Sequence, residues 1–178
     1  MLHWALLAAA GTASLTSGTA SPAQCVRSGI YVLDRERSDD VQKAITSAVA
    51  GLPNTDNFAR RLRKANTVTD EIRITNAPDR FSIKYETRPQ ILVSKRGEPT
   101  QWKLNDGQVF DVSAKANGDD VSLTFRASDS ERTSVYRIVG VRFVEETIIV
   151  SPRLSTAIRY RLLYDPAKCQ DLRDGPSR

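Results

Sequence analysis

Residues 120–138 read DVSLTFRASDSERTSVYRI. Val121, Leu123, Phe125 and Ala127 fall on one parity, and Ser122, Thr124 and Arg126 on the other. A strand turns successive side chains to opposite faces, so this is a strand with one buried side. Ser128-Asp129-Ser130 is turn chemistry. After it Tyr136 and Ile138 flank Arg137, and the alternation resumes. Two such strands joined by a tight reversal form an antiparallel hairpin.

The pattern continues on both sides. Upstream, Ile72 and Ile74 alternate with polar residues, as do Phe81, Ile83 and Tyr85. Trp102 and Leu104 flank Lys103; Phe110, Val112 and Ala114 flank Asp111 and Ser113. Downstream, Ile158, Tyr160, Leu162 and Tyr164 enclose Arg159 and Arg161. Two segments stay open. Residues 90–95 carry Ile91, Leu92 and Val93 in a row, and 142–150 are apolar at both parities. The gaps are Asn76-Ala77-Pro78-Asp79, Arg96-Gly97-Glu98-Pro99, Asn105-Asp106-Gly107 and Asn117-Gly118-Asp119. All favour tight turns, with Asp106-Gly107 the strongest hairpin signal. Residues 70–165 thus read as nine short strands in an antiparallel meander. Closure into a barrel would remove its exposed edges.

Upstream of the meander, residues 29–34 read as one more strand. Ser38 is placed to cap a helix, with Asp39 and Asp40 in its first turn. Val41, Ala44, Ile45, Ala48, Val49 and Leu52 make its apolar stripe, and Gly51 its stop. A second helix spans about 56–65, with Phe58, Leu62 and Ala65 on one face and Arg60, Arg61, Arg63 and Lys64 on the other. Asn66 ends it. The fold class is therefore mainly β: an antiparallel ten-stranded meander closed as a barrel, with a two-helix lid after the first strand.

That order and those lengths resemble the intracellular fatty-acid-binding proteins and the wider lipocalin-like superfamily. Gly29-x-Tyr31 stands where that group opens with Gly-x-Trp, and Phe58-Ala59-Arg60-Arg61 resembles the start of its second lid helix. The resemblance is architectural and implies an interior ligand. The family's last strand carries Arg-x-Tyr facing the cavity to hold a carboxylate. This chain has Arg159-Tyr160-Arg161 instead. If Tyr160 faces inward, both arginines face out; the opposite parity would bring Arg159 and Arg161 inside.

Residues 1–23 carry no Lys, Arg, Asp or Glu, and the apolar run from Leu2 to Ala10 is too short to span a bilayer. Small residues follow. This reads as a secretory signal peptide over 1–23, a barrel domain over 24–170 and a short polar tail over 171–178. The alternative is a buried N-terminal helix. The two cysteines, Cys25 and Cys169, bracket the strands. In an exported chain an even pair suggests a disulfide, which would add roughly 4–5 kcal/mol through loop-closure entropy. The alternative is two independent thiols.

The chemistry is limited. The one histidine, His3, lies in the signal, so the mature chain lacks imidazole catalysis and the usual zinc ligand sets. Asp39-Asp40 and Asp119-Asp120 sit at a helix start and a turn. Glu145 and Glu146, as strand neighbours, point to opposite faces. Neither an enzyme, a metal nor a cofactor is expected. The expected function is an exported protein binding a small hydrophobic or amphipathic ligand in the barrel. Tyr85, Trp102, Phe125 and Tyr136 would line the site, the tyrosines as polar handles, with Arg159 or Arg161 serving only on the other parity. The net charge is +5. Its densest run, Arg60, Arg61, Arg63 and Lys64, suits an anionic lipid surface. Nucleic acid is not an expected partner of an exported chain. The alternative is a cell-envelope interaction module with a filled core, acting through its surface.

One measurement checks both export features. Intact mass of the exported protein, with and without reductant and alkylation, should show a start near Ser21 or Gln24 and one bridge. Retention of Met1, or two thiols alkylated without reductant, would contradict them.

Overall fold

The computed structural model describes residues 28–53 and 56–169. The expected signal peptide, Cys25 and the polar tail lie outside them, so the disulfide does as well. The strands are β1 (Gly29–Leu33), β2 (Glu71–Asn76), β3 (Arg80–Tyr85), β4 (Ile91–Ser94), β5 (Thr100–Lys103), β6 (Val109–Asn117), β7 (Asp120–Arg126), β8 (Glu131–Val139), β9 (Arg142–Val150) and β10 (Ile158–Cys169). Helices α1 (Val41–Val49) and α2 (Asp56–Ala65) follow β1. The ten strands form one antiparallel sheet in the order β4-β3-β2-β1-β10-β9-β8-β7-β6-β5. It curls into a nearly closed barrel, as the alternation predicted.

The first and last strands pair in the middle of this sheet, Leu33 opposite Tyr164 and Val32 opposite Asp165. Their register slips between Ile30 and Tyr31, next to Pro166, which has no N–H to give the ladder. The seam lies between β4 and β5, where the backbone ladder is interrupted. Both are four-residue strands, each preceded by a proline, Pro89 or Pro99. Short strands flanked by proline are a common way to blunt a sheet edge. Side chains close the gap. The Trp102 indole N–H donates to Pro89 O at 3.0 Å, and Asn105 Nδ2 donates to Thr87 O at 3.1 Å. A single bridge joins Arg96 to Lys115. Gly97 makes the β4–β5 turn with a φ of 89°, a conformation that needs no Cβ.

The parities fall as read. Phe110, Val112 and Ala114 are buried, as are Val121, Leu123 and Phe125. The two open segments resolve. In β4 Ile91 and Val93 point in and Leu92 is 52% exposed. In β9 the inward set is Phe143, Glu145, Thr147 and Ile149. Ile158, Tyr160, Leu162 and Tyr164 face inward, so Arg159 and Arg161 are exposed on the outer face. The parity that would have made those arginines interior handles is not adopted, because four apolar or aromatic residues take the inner positions.

The lid differs from expectation at its start. Asp40 caps α1, accepting from Lys43 N at 2.9 Å. Ser38 serves β10 instead: its Oγ accepts from Leu163 N at 2.9 Å, while Asp39 Oδ2 accepts from Arg161 N at 2.7 Å. Both residues still precede the helix as strand-like chain, so their side chains satisfy a neighbouring strand rather than the helix N–H groups. Val41, Ile45 and Val49 of α1, and Phe58, Ala59 and Leu62 of α2, pack on the core. The helices cover the barrel mouth formed by the turns after β3, β5, β7 and β9. A charge placed at Val49, which is buried, has no partner there. Val49→Asp should lower stability by about 3–5 kcal/mol. An unchanged melting temperature would mean that α1 does not pack on the barrel.

Candidate functional site

The β7–β8 hairpin sets Phe125 opposite Arg132. The Arg132 guanidinium carbon lies 3.8 Å from the Phe125 ring centroid, a cation–π contact. Its Nη1 donates to Asn66 Oδ1 at 3.1 Å, and the Tyr160 hydroxyl donates to the same oxygen at 3.3 Å. Asn66 in turn donates to Leu62 O at 2.8 Å, which ties this cluster to the end of α2. The Arg132 Nε and Nη2 are buried without a hydrogen-bond partner. Arg132 forms no ion pair among the described residues. Burial works against its charge; the facing oxygens of Tyr160, Tyr85 and Tyr136 and the Glu145 carboxylate outweigh it and raise its pKa.

Arg132 divides the interior into two chambers. On one side Phe58, Leu62, Trp102, Phe110 and Phe125 enclose an apolar space of ≈ 30 Å³. Trp102 packs 5.8 Å, centroid to centroid, from both Phe110 and Phe125. On the other side Tyr85, Arg88, Glu145, Tyr160 and Tyr164 enclose a polar space of ≈ 20 Å³. Each holds a water or two and no more. Below them the barrel is filled by rings: Tyr136 stacks between Phe81 and Phe143 at 5.5 and 5.6 Å.

The polar chamber is lined by neutral hydroxyls. Tyr85 and Tyr136 oxygens are 3.3 Å apart. Burial, reinforced by Glu145, raises the pKa of both. They therefore remain donors. Glu145, 3% exposed, has its Oε1 3.1 Å from both the Ser134 and Thr147 hydroxyls, which are 2.7 Å from each other. Arg88, 9% exposed, wraps the end of α2, donating to Ala65 O at 3.0 Å and Thr67 O at 2.8 Å. Orphan carbonyls at a helix C-terminus suit such a cation.

All four expected wall residues, Tyr85, Trp102, Phe125 and Tyr136, point inward and are buried. Trp102 and Phe125 line the apolar chamber and Tyr85 the polar one, while Tyr136 sits in the ring stack below, so they do not line one cavity. The basic run of α2 also divides. Arg61 pairs with Asp129, and Lys64 with Asp106 at 2.9 Å, so these two clamp the lid to the barrel turns. Lys64, then the Gln108 N–H, hold the Asp106 carboxyl below its ordinary range. A depressed carboxylate pKa means this clamp is present above that range and is lost as pH falls through the lowered value. Among the described residues Arg60 and Arg63 donate to neutral groups, Asn57 Oδ1 and Thr46 Oγ1.

The sequence reading missed Arg132, Glu145, Arg88 and Asn66. For the first two a signal existed. Arg132 and Ser134 share the parity of Tyr136, and Glu145 and Thr147 that of Phe143 and Ile149. The faces of 142–150 stayed open and Arg132 was not assigned one, which hid them. Arg88 and Asn66 lie in connections, where no periodicity applies.

No protein-family model matches the chain, and no curated protein matches it. Solved structures do match, on fold. A structure described as the REP1-NXSQ fatty acid transporter is 14% identical, covers 80% of this chain and 96% of its own, with a TM-score of 0.54. Human cRBP IV is 14% identical over 79% of this chain and 97% of its own, with a TM-score of 0.52. A luciferase domain from the dinoflagellate Lingulodinium polyedrum is 11% identical over 79% of this chain and 41% of its own, with a TM-score of 0.50. The chain thus has the fatty-acid-binding, lipocalin-like barrel fold.

Two unpartnered buried N–H-bearing nitrogens each forfeit about 1–3 kcal/mol. Arg132→Met gives up the cation–π contact with Phe125, replaces it with an apolar side chain and removes that penalty. Its melting temperature should equal or exceed that of the wild type. A drop of several degrees would show that the guanidinium is a structural strut.

Proposed function

We propose that the chain binds a small amphipathic ligand with an anionic head inside the barrel, the head on Arg132. The carrying observation is the guanidinium itself: buried, charged, without an ion pair, and with Nε and Nη2 unpartnered. Burying such a group without a partner is unfavourable, and a carboxylate or similar anion supplies a fork-shaped partner. Tyr160, Tyr85 and Tyr136 add neutral hydroxyl donors nearby. The tail would lie among Trp102, Phe110 and Phe125, where apolar surface leaves water at roughly 25 cal/mol per Å². The solved structures that share the fold include proteins described as fatty acid transporters and fatty-acid-binding proteins, which supports the same reading. This role is binding, without catalysis. Export to the periplasm or the medium belongs to the proposal, supported by the uncharged apolar start and by two cysteines, Cys25 and Cys169, that bracket the strands.

Drug-sized ligands occupy pockets of about 300–1,000 Å³. The two chambers fall far short, so uptake requires α2 and Trp102 to move. That same observation favours a second reading, the cell-envelope interaction module with a filled core.

Titration with a fluorescent long-chain fatty acid separates them. Wild type should bind in the micromolar range. Arg132→Met should bind at least about tenfold more weakly, the equivalent of one lost charge-assisted bond, and Trp102→Ala should also weaken. No uptake of any apolar probe by a stable wild type would favour the filled-core module.

A further inference from the structure

A far larger hollow lies outside the barrel. A cleft of ≈ 750 Å³ opens between the two helices and the rim formed by β1 and β10. That volume is within the range of small-molecule sites. Its floor is apolar, made by Leu33, Val41, Val68 and Leu162. Its walls carry Arg35, Arg60, Arg63 and Lys64. The acids on the same walls are engaged: Asp39 on Arg161 N, and Asp40 as the cap of α1. Two of the cations are neutralised, Arg35 by Asp70 and Lys64 by Asp106. Arg60 and Arg63 are exposed, one turn-step apart on α2, and have no carboxylate partner among the described residues.

An apolar floor beneath two guanidinium groups that have no ion-pair partner among the described residues, with the Asp39 and Asp40 carboxylates held elsewhere on the walls by backbone N–H groups, points to one ligand chemistry. We propose that this cleft is a second binding site, for a single-chain anionic amphiphile. Its chain lies on the floor from Leu33 to Leu162, and its head takes charge-assisted hydrogen bonds from Arg60 and Arg63. The site goes beyond the interior reading and does not depend on it. Val68 and Leu162 separate the cleft from the polar chamber, which they also help to line.

The test is calorimetric titration of the full mature chain with submicellar decyl sulfate. Wild type should bind one equivalent in the cleft. The exchange Arg60→Glu with Arg63→Glu should weaken binding at least about tenfold, and the neutral pair Arg60→Gln with Arg63→Gln by less. Both arginines are exposed, so matched melting temperatures should show intact folds. Wild-type affinity should fall as salt rises, and decyltrimethylammonium should bind only the Glu variant. Arg132→Met should keep the cleft equivalent of decyl sulfate, whatever it loses from the interior. Undiminished binding by the Glu variant, or no binding by wild type, would overturn the cleft site. Loss in Arg132→Met with retention in the Glu variant would overturn it too, while leaving the interior site standing.

Discussion

The pairing of β1 with β10 governs this molecule. It places the two ends of the barrel domain side by side in the centre of one sheet, so the chain closes on itself away from the sheet's edges. Three consequences follow. The helices, leaving β1 and returning at β2, must cross the mouth on one side of that pair. Ser38 and Asp39, at the start of the crossing, are drawn onto β10 and extend its hydrogen bonding. The interruption in the ladder is displaced to the far side, between two of the shortest strands.

A ten-strand barrel is wider than apolar side chains readily fill. This one solves the problem in two ways along its axis. Away from the lid, rings stack, with Tyr31, Phe81, Tyr136, Phe143 and Tyr164 in mutual contact through Phe143 and Tyr136. Beneath the lid, polar groups fill the space: Glu145 with its two hydroxyls, Arg88 on helix carbonyls, Arg132 on Asn66. Each of the first two has its polar partners. Arg132 does not, and it sits where the apolar and polar halves meet. A barrel mouth that gives Glu145 and Arg88 their partners and leaves Arg132 short is the pattern expected where stability is traded for binding.

Alternation made the architecture legible. One buried face per strand gave the strand count and the inward aromatics, because period two is a direct record of burial; the facing of Arg159 and Arg161 stayed open until the structure set it. It failed where burial was not apolar. Glu145 and Arg132 occupy inward positions that the alternation left unassigned, since their burial depends on partners from other strands that no local pattern shows. The seam was equally hidden. Nothing in residues 90–103 distinguishes a strand that pairs on both sides from one that pairs on one. Side chains that bind turns or neighbouring strands, such as Ser38, are likewise assigned by tertiary geometry rather than by capping preference. The basic run on α2 was read as one surface. In the folded chain Asp106 and Asp129, distant in sequence, take Lys64 and Arg61 and leave only Arg60 and Arg63 unpaired with acid.

The seam gives the barrel an anisotropic compliance. Widening the cylinder between any other two strands breaks a row of backbone hydrogen bonds at once. Between β4 and β5 the same widening gives up the Trp102 and Asn105 contacts and one bridge. Circumference is therefore softest along one line. That line ends beneath Trp102, the ring that also walls the apolar chamber, so the cheapest expansion of the cylinder is also an expansion of its driest compartment. Breathing of the whole barrel and enlargement of that compartment are a single mode of motion.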